Sequence, residues 1–225
     1  MTATAPTTTA VPTTITVPEV WPEVWAVVLA AGQSRRLGQP KQLLILEGEA
    51  LVRRAARAVL EAGFTGVVVV TPPGELGQQV RAALAGLPLT LAECSHPELG
   101  LSESFRAGLA ALPAGVAAAH FALADMPFVT AEHHRAVLEA FVASGAPLVL
   151  ARFGPYQMET GGVRAPPHLF RADLFGGFTQ TGDHGPKHLI AEYGQEAVWV
   201  DLPREALRDV DTPQDWTKLQ AGWGE

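Results

Sequence analysis

Short, predominantly apolar runs separated by amphipathic stretches recur five times between Val24 and Phe153. Residues 24–31 read VWAVVLAA, without a charged or hydroxyl side chain, and residues 67–70 are VVVV. A strand that is apolar on both sides must be covered on both faces, which excludes a sheet with one wet face. Residues 89–94 (LTLAEC), 120–126 (HFALADM) and 147–153 (PLVLARF) continue the series. Helical stretches fill the gaps. In residues 50–62, Leu51, Ala55, Val59 and Ala62 fall at helical spacing, and Gly63 ends the run. Pro72, Pro73 and Gly74 break the chain before a second helix over 75–85. Ser102, with Glu103 and Ser104 just inside, reads as the start of a third helix, and Thr130 as the cap of a fourth, AEHHRAVLEAFVAS. Strands that alternate with helices are joined by crossovers, and crossovers make parallel sheets. The pattern predicts an α/β fold: an open, mostly parallel, Rossmann-like sheet with helices on both faces, in a single domain.

The rhythm changes after Gly154. Residues 154–183 carry several Gly and Pro and only short apolar pieces such as HLFRADLF, and read as a lid-like insertion. A helix at 185–193, a strand at 197–202 and a last helix from Pro213 complete a domain spanning residues 23–225. Residues 1–22 are rich in Thr, Pro and Val, bury too little to repay ordering, and are expected to form a disordered tail. No apolar run reaches the roughly 18 residues of a membrane-spanning helix. The N-terminus lacks the basic start and apolar stretch of a signal peptide, so the expected location is cytoplasmic and away from membranes. The single cysteine, Cys94, rules out an intrachain disulfide and a cysteine-built zinc site. A net charge of -7 argues against nucleic acid as a partner, because binding a polyanion needs a basic face.

Candidate chemistry concentrates in the turn after the first strand, Leu29-Ala30-Ala31-Gly32-Gln33-Ser34-Arg35-Arg36-Leu37-Gly38-Gln39-Pro40-Lys41. In a parallel sheet, ligands bind beyond the carboxyl ends of the strands, where this loop sits. Gly32 and Gly38 free the backbone to turn N–H groups toward an anion, and Arg36 and Lys41 add fixed positive charge. Neither GxxxxGK[ST] nor GxGxxG is present, and a solvated basic turn is the plain alternative. Asp125 follows the apolar run HFALA at the same sheet edge, where a carboxylate suits either Mg2+ on a triphosphate or a turn. Ser102, Ser104 and Arg106 follow Gly100 at a helix start, fit to meet ribose or phosphate oxygens or simply to cap the helix. Asp209 and Asp211 share one side of an extended segment, as metal ligands or as a cap before Pro213. His184 and His188 stand one helical turn apart but lack the frame of a zinc site, and Lys187 is the better phosphate contact. Trp199, Trp216 and Phe175 read as packing residues.

The stretch LAAGQSRRLGQPKQLL resembles the signature of the MobA-like nucleotidyltransferases, LAAGxSxRxGxxK, and in particular their molybdenum cofactor cytidylyltransferase (MocA-like) branch. GLSESFRAGL (100–109), ALADMPFVT (122–130), GDHGPKHLI (182–190) and DVDTPQDW (209–216) resemble further segments of that family, in the same order. The resemblance implies the nucleotide-diphospho-sugar transferase fold and a Mg2+-dependent transfer. In that reaction a phosphate oxygen of the acceptor attacks the α-phosphorus of an NTP, and pyrophosphate leaves. The resemblance makes Lys41, Arg36 and Asp125 the catalytic set, with Lys41 and Arg36 on the phosphates and Asp125 on Mg2+ beside Asp211. Leu29, Ala30, Ala31, Gly32, Ser34, Gly38, Ser102 and Ser104 become nucleotide-binding, and Asp183 and Lys187 acceptor-binding. Leu-Ala-Ala-Gly in place of Leu-Ala-Gly-Gly favours CTP over GTP, with the Ala31 methyl crowding a purine. The implied acceptor is a phosphorylated pterin, molybdopterin, and the implied protein partner is an apo molybdoenzyme. One segment departs from the family. Its Gly-His-Pro turn is replaced by Gly161-Gly162-Val163-Arg164-Ala165-Pro166-Pro167-His168-Leu169-Phe170, in which the histidine is displaced. Three alternatives therefore stay open: GTP as donor, a sugar phosphate or methylerythritol phosphate as acceptor, and a non-catalytic cofactor carrier.

Overall fold

The apolar runs become the strands of one sheet. The computed structural model describes residues 22–32, 34, 37–154, 162–208, 210 and 212–220. In chain order these form β1 (Val24–Leu29), β2 (Ile45–Leu46), β3 (Glu49–Ala50), α1 (Leu51–Glu61), β4 (Gly66–Thr71), α2 (Gly74–Ala83) and β5 (Thr90–Glu93). Then follow α3 (Leu101–Ala110), β6 (Ala118–Leu123), α4 (Ala131–Ser144), β7 (Leu148–Phe153), β8 (Val163–Arg171), α5 (Lys187–Tyr193), β9 (Val198–Leu202) and α6 (Pro213–Gln220). β2 and β3 make a small separate hairpin; the other strands form a 7-stranded sheet in the order β5-β4-β1-β6-β8-β7-β9. β1 pairs in parallel with β4 and β6, β4 with β5, and β7 with β9, while β8 is antiparallel to both its neighbours. The mostly parallel α/β sheet expected from the sequence is present.

Successive residues of a strand face opposite sides, and here both sides are dry. Ala26, Val28 and Ala30 pack with Val52, Ala55 and Val59 of α1 and Val80 of α2. Val137, Leu138 and Phe141 of α4 extend that layer over Val24, Ala118 and Leu169. Val27, Leu29 and Ala31 face the other way, onto Phe105 of α3 and Leu189 and Ile190 of α5. The α3 helix lies close to the sheet because Gly108 has no side chain; a Cβ there would stand 2.5 Å from Val27 Cγ1. Among the described residues, no helix is long and apolar enough to cross a membrane.

The stretch read as a lid-like insertion supplies β8, a strand of 9 residues in the interior of the sheet. Its proline pair concealed it, since proline donates nothing to a ladder. His168, Leu169 and Phe170 pair with both β6 and β7, whereas the register to β7 shifts between Leu150 and Arg152, opposite the prolines. Residues 155–161 of that stretch, and the expected tail through residue 21, lie outside the described residues. Trp216 and Phe175 pack against core clusters as expected. Trp199 does not: it is 38% exposed on β9, with the Arg152 guanidinium 5.4 Å from its ring centroid.

Candidate active site

The loop after β1 is shaped from within. Sheet bonding persists for one residue past the strand, where the Ala30 N–H donates to Val70 O at 2.9 Å. The chain then leaves the sheet through Gly32 and reaches Ser34 in a left-handed conformation, φ 50. The Ser34 hydroxyl accepts from the Lys41 N–H at 3.0 Å and donates to Gln42 Oε1 at 3.3 Å. Gln42 is 2% exposed, and its Nε2 donates to Ala30 O at 2.9 Å and to Gly32 O. One buried amide thus holds two carbonyls of the loop. Gly38, at φ 72, makes the turn that returns the chain to Lys41 and is not part of the cleft wall. Arg36 lies outside the described residues, as do Asp209 and Asp211. Between those two aspartates, Val210 is fully buried in a cluster with Leu37 and Leu44.

β6 ends at Leu123, and Asp125 follows at the carboxyl edge of the sheet, next to the β1 loop. Its carboxylate pairs with Lys41 Nζ, with the two side chains 15% and 18% exposed. A cleft of about 330 Å³ opens over this pair. Leu29, Ala30, Ala31, Gly32, Ser34 and Lys41 line one side, Pro97, Glu98, Gly100, Leu101 and Ser104 another, and Asp125 and Asp183 complete it. Nine residues singled out in the sequence therefore meet in one place: Leu29, Ala30, Ala31, Gly32, Ser34, Lys41, Ser104, Asp125 and Asp183. Ala31 is 1% exposed and packs in the core with Val27 and Phe105, so its methyl offers the cleft little surface with which to crowd a base. The argument for CTP rests on the resemblance, not on that methyl.

Gln42 and Glu98 were not among the sequence candidates. Nothing in the sequence separates either from a surface residue. The start of α3 serves partly as a clasp. Gly100 has φ 109, and a Cβ there would come within 2.2 Å of the Gly182 carbonyl carbon. The Ser102 N–H donates to Gly182 O at 3.1 Å, and Arg106 Nη1 to Gln180 O at 3.0 Å. Arg106, also paired with Glu103, thus fastens the 180–183 loop. Ser102 does not line the cleft; it lines a void of about 10 Å³ with His188, and its buried hydroxyl has no hydrogen-bond partner among the described residues. Ser104 donates to Cys94 Sγ at 3.8 Å. His188 Nε2 donates to Gly177 O at 2.6 Å.

Beyond Asp183 lies a second cavity, a slot of about 250 Å³. Phe105, Phe121, Phe170, Pro166 and Ile190 make its walls, with Arg164, His168 and Lys187 as the polar lining besides Asp183. Leu101, Leu123 and Asp183 line both cavities, so the slot and the cleft adjoin. Lys187 belongs to the slot and not to the cleft.

A parallel sheet with a glycine-bearing loop, a lysine and a carboxylate at its carboxyl edge defines the class of nucleotide-binding α/β proteins. The comparisons give the family. A family model for the MobA-like NTP transferase domain matches residues 26–198, and the chain belongs to that family. It is 37% identical over 127 residues to the bifunctional enzyme IspD/IspF of Anaeromyxobacter dehalogenans, covering 56% of this chain and 32% of that one. It is 27% identical to the purine catabolism protein PucB of Bacillus subtilis, covering 88% of this chain and 97% of that one. A probable molybdenum cofactor guanylyltransferase of Opitutus terrae is 51% identical over 43 residues, 19% of this chain and 21% of that one. Among solved structures, Rv0371c from Mycobacterium tuberculosis superposes with a TM-score of 0.74 at 22% identity, over 90% of this chain and all (100%) of that one. Its homologue from Mycobacterium sp. strain JC1 gives 0.73 at 25% identity, over 88% and 96%. The nucleotide-diphospho-sugar transferase fold implied by the sequence motifs is the fold observed.

Proposed function

We propose that this protein transfers CMP from CTP to the phosphate of a pterin of the molybdopterin kind, with Mg2+, releasing pyrophosphate. The observation that carries this reading is that the apolar slot adjoins the polar cleft, with Asp183 lining both. The cleft suits a triphosphate. The slot is walled by rings and branched aliphatics, which suit a flat heterocycle better than a polyol whose hydroxyls need partners.

The acceptor phosphate is already an anion near neutral pH, so the reaction asks the protein for position and charge, not for a strong base. Its oxygen bonds to the α-phosphorus in line as the bond to pyrophosphate breaks. Gln42 holds the Ala30 and Gly32 carbonyls, which keeps them from turning on an anion. Lys41 supplies positive charge where the β1 loop meets Asp125. Asp125 fits Mg2+, a hard ion that takes one or two carboxylates along with phosphate oxygens and water. Bound there, Mg2+ would neutralise charge on the triphosphate. Asp183, at the junction of the two cavities, is placed to orient the acceptor, and Lys187 and Arg164 to meet its negative charge.

The relatives support transfer chemistry. The Opitutus terrae relative's name supports a molybdenum cofactor, with guanylate as the transferred group. The second reading, a small polyol phosphate acceptor, is favoured by Pro40-Lys41-Gln42, which resembles the segment after the related loop of enzymes that act on methylerythritol phosphate. Pyrophosphate release from CTP, with molybdopterin or methylerythritol phosphate as acceptor, separates the two. The expected result is release with molybdopterin and CTP; release only with methylerythritol phosphate, or only with GTP, overturns the reading.

A further inference from the structure

His168 has no part in the chemistry above, yet it is 7% exposed and lines the slot. Two backbone groups meet its Nδ1: the Pro167 carbonyl at 2.9 Å and the Ala151 N–H at 3.3 Å. The carbonyl asks for a proton on Nδ1 and the N–H for a lone pair there, and with either tautomer Nε2 is the ring's second hydrogen-bonding atom. Nε2 has no hydrogen-bond partner among the described residues, and it is not one of the atoms sealed in the core without one. It therefore opens on the slot. Burial holds the imidazole pKa down to about 4, so the ring is neutral near pH 7.

We propose that His168 Nε2 hydrogen-bonds the polar edge of the acceptor's ring and so selects acceptors that present such an edge. This deepens the proposed function and rests on the slot being the acceptor site. The slot otherwise offers side chains that are charged: Arg164, Lys187 and Asp183. Those suit a phosphate or a single ionic contact. A neutral ring nitrogen among aromatic walls reads a ring edge instead, because leaving it unpaired against a ligand forfeits its hydration. The displaced histidine of the rebuilt turn thus returns to the slot from within β8.

The test uses the full chain as wild type, His168→Leu and His168→Gln, with 6-hydroxymethylpterin phosphate, benzyl phosphate and methylerythritol phosphate as probes and CTP titration as the control for folding. The wild type is expected to prefer the pterin probe. His168→Leu should weaken that probe roughly tenfold, the scale of one hydrogen bond, and leave benzyl phosphate alone. His168→Gln should restore most of the loss, because its amide both donates and accepts. If the wild type takes both ring phosphates and His168→Leu weakens neither selectively, the His168 proposal falls while the acceptor reading stands. If the wild type takes methylerythritol phosphate and neither ring phosphate, the acceptor reading fails and this proposal fails with it.

Discussion

Gln42 places its amide nitrogen on two loop carbonyls, those of Ala30 and Gly32, that border the cleft. Gln42→Ala is expected to leave those carbonyls unpaired, at a cost of about 1–3 kcal/mol in stability, and to weaken CTP binding. Gln42→Glu should weaken CTP further at pH 8, because it brings a negative charge beside the phosphates. Denaturant melts and calorimetry read the two effects separately. Asp125→Asn keeps the shape of the site and removes the charge, so pyrophosphate release should drop by about 10²–10³, the scale of losing one electrostatic contact to a reacting group. A rate within a few-fold of wild type would remove Asp125 from the mechanism. Lys41 and Asp125 were legible in the sequence because each follows an apolar run at the carboxyl edge of the sheet, and the family resemblance gave them their roles. Gln42 was not, since a buried amide looks like any surface amide until its partners are known. His168 was legible only as a departure from a family pattern; its place on the slot depends on the register of β8.

Between elements, α3 and the 180–183 loop approach so closely that Gly100 admits no side chain. Gly100→Ala must shift the loop and adopt a positive φ, so Asp183 moves from its place between the cavities. The expected result is a stability loss of about 1 kcal/mol or more and a raised KM for the acceptor. An unchanged KM for the acceptor would show that the loop's position is not used. A second link is the contact of His120 Nε2 with His134 Nδ1 at 2.9 Å, joining β6 to α4 in the core. Burial holds His134 to about 3 and His120 well below its usual value. With His168, three buried histidines are neutral when folded, while the unfolded chain protonates them below about pH 6.5. Stability is therefore full above that pH. It falls as pH drops toward 4, by on the order of 1 kcal/mol per pH unit for each histidine. Denaturant midpoints at pH 7 and pH 5 check this; equal midpoints would contradict it. β1, β4 and β6 were legible because they are apolar on both faces. β8 was not, because Pro166 and Pro167 interrupt its ladder and only Leu169 and Phe170 follow as an apolar run.

At the scale of the whole molecule, seven strands place their loops so that one edge carries both cavities. The alternating pattern was enough to read this architecture, since crossover helices leave few other topologies. The slot was not readable, because its walls come from α3, β6, β8 and α5, which lie apart in the chain. The proposed function requires the cleft to hold the triphosphate of CTP against Lys41. Calorimetric titration of wild type and Lys41→Ala with CTP, GTP and ATP, each with Mg2+, measures this. The wild type should bind CTP in preference to the other two, and Lys41→Ala should lose that binding. Binding of none of the three by the wild type, or CTP binding unchanged in Lys41→Ala, would contradict the proposed function.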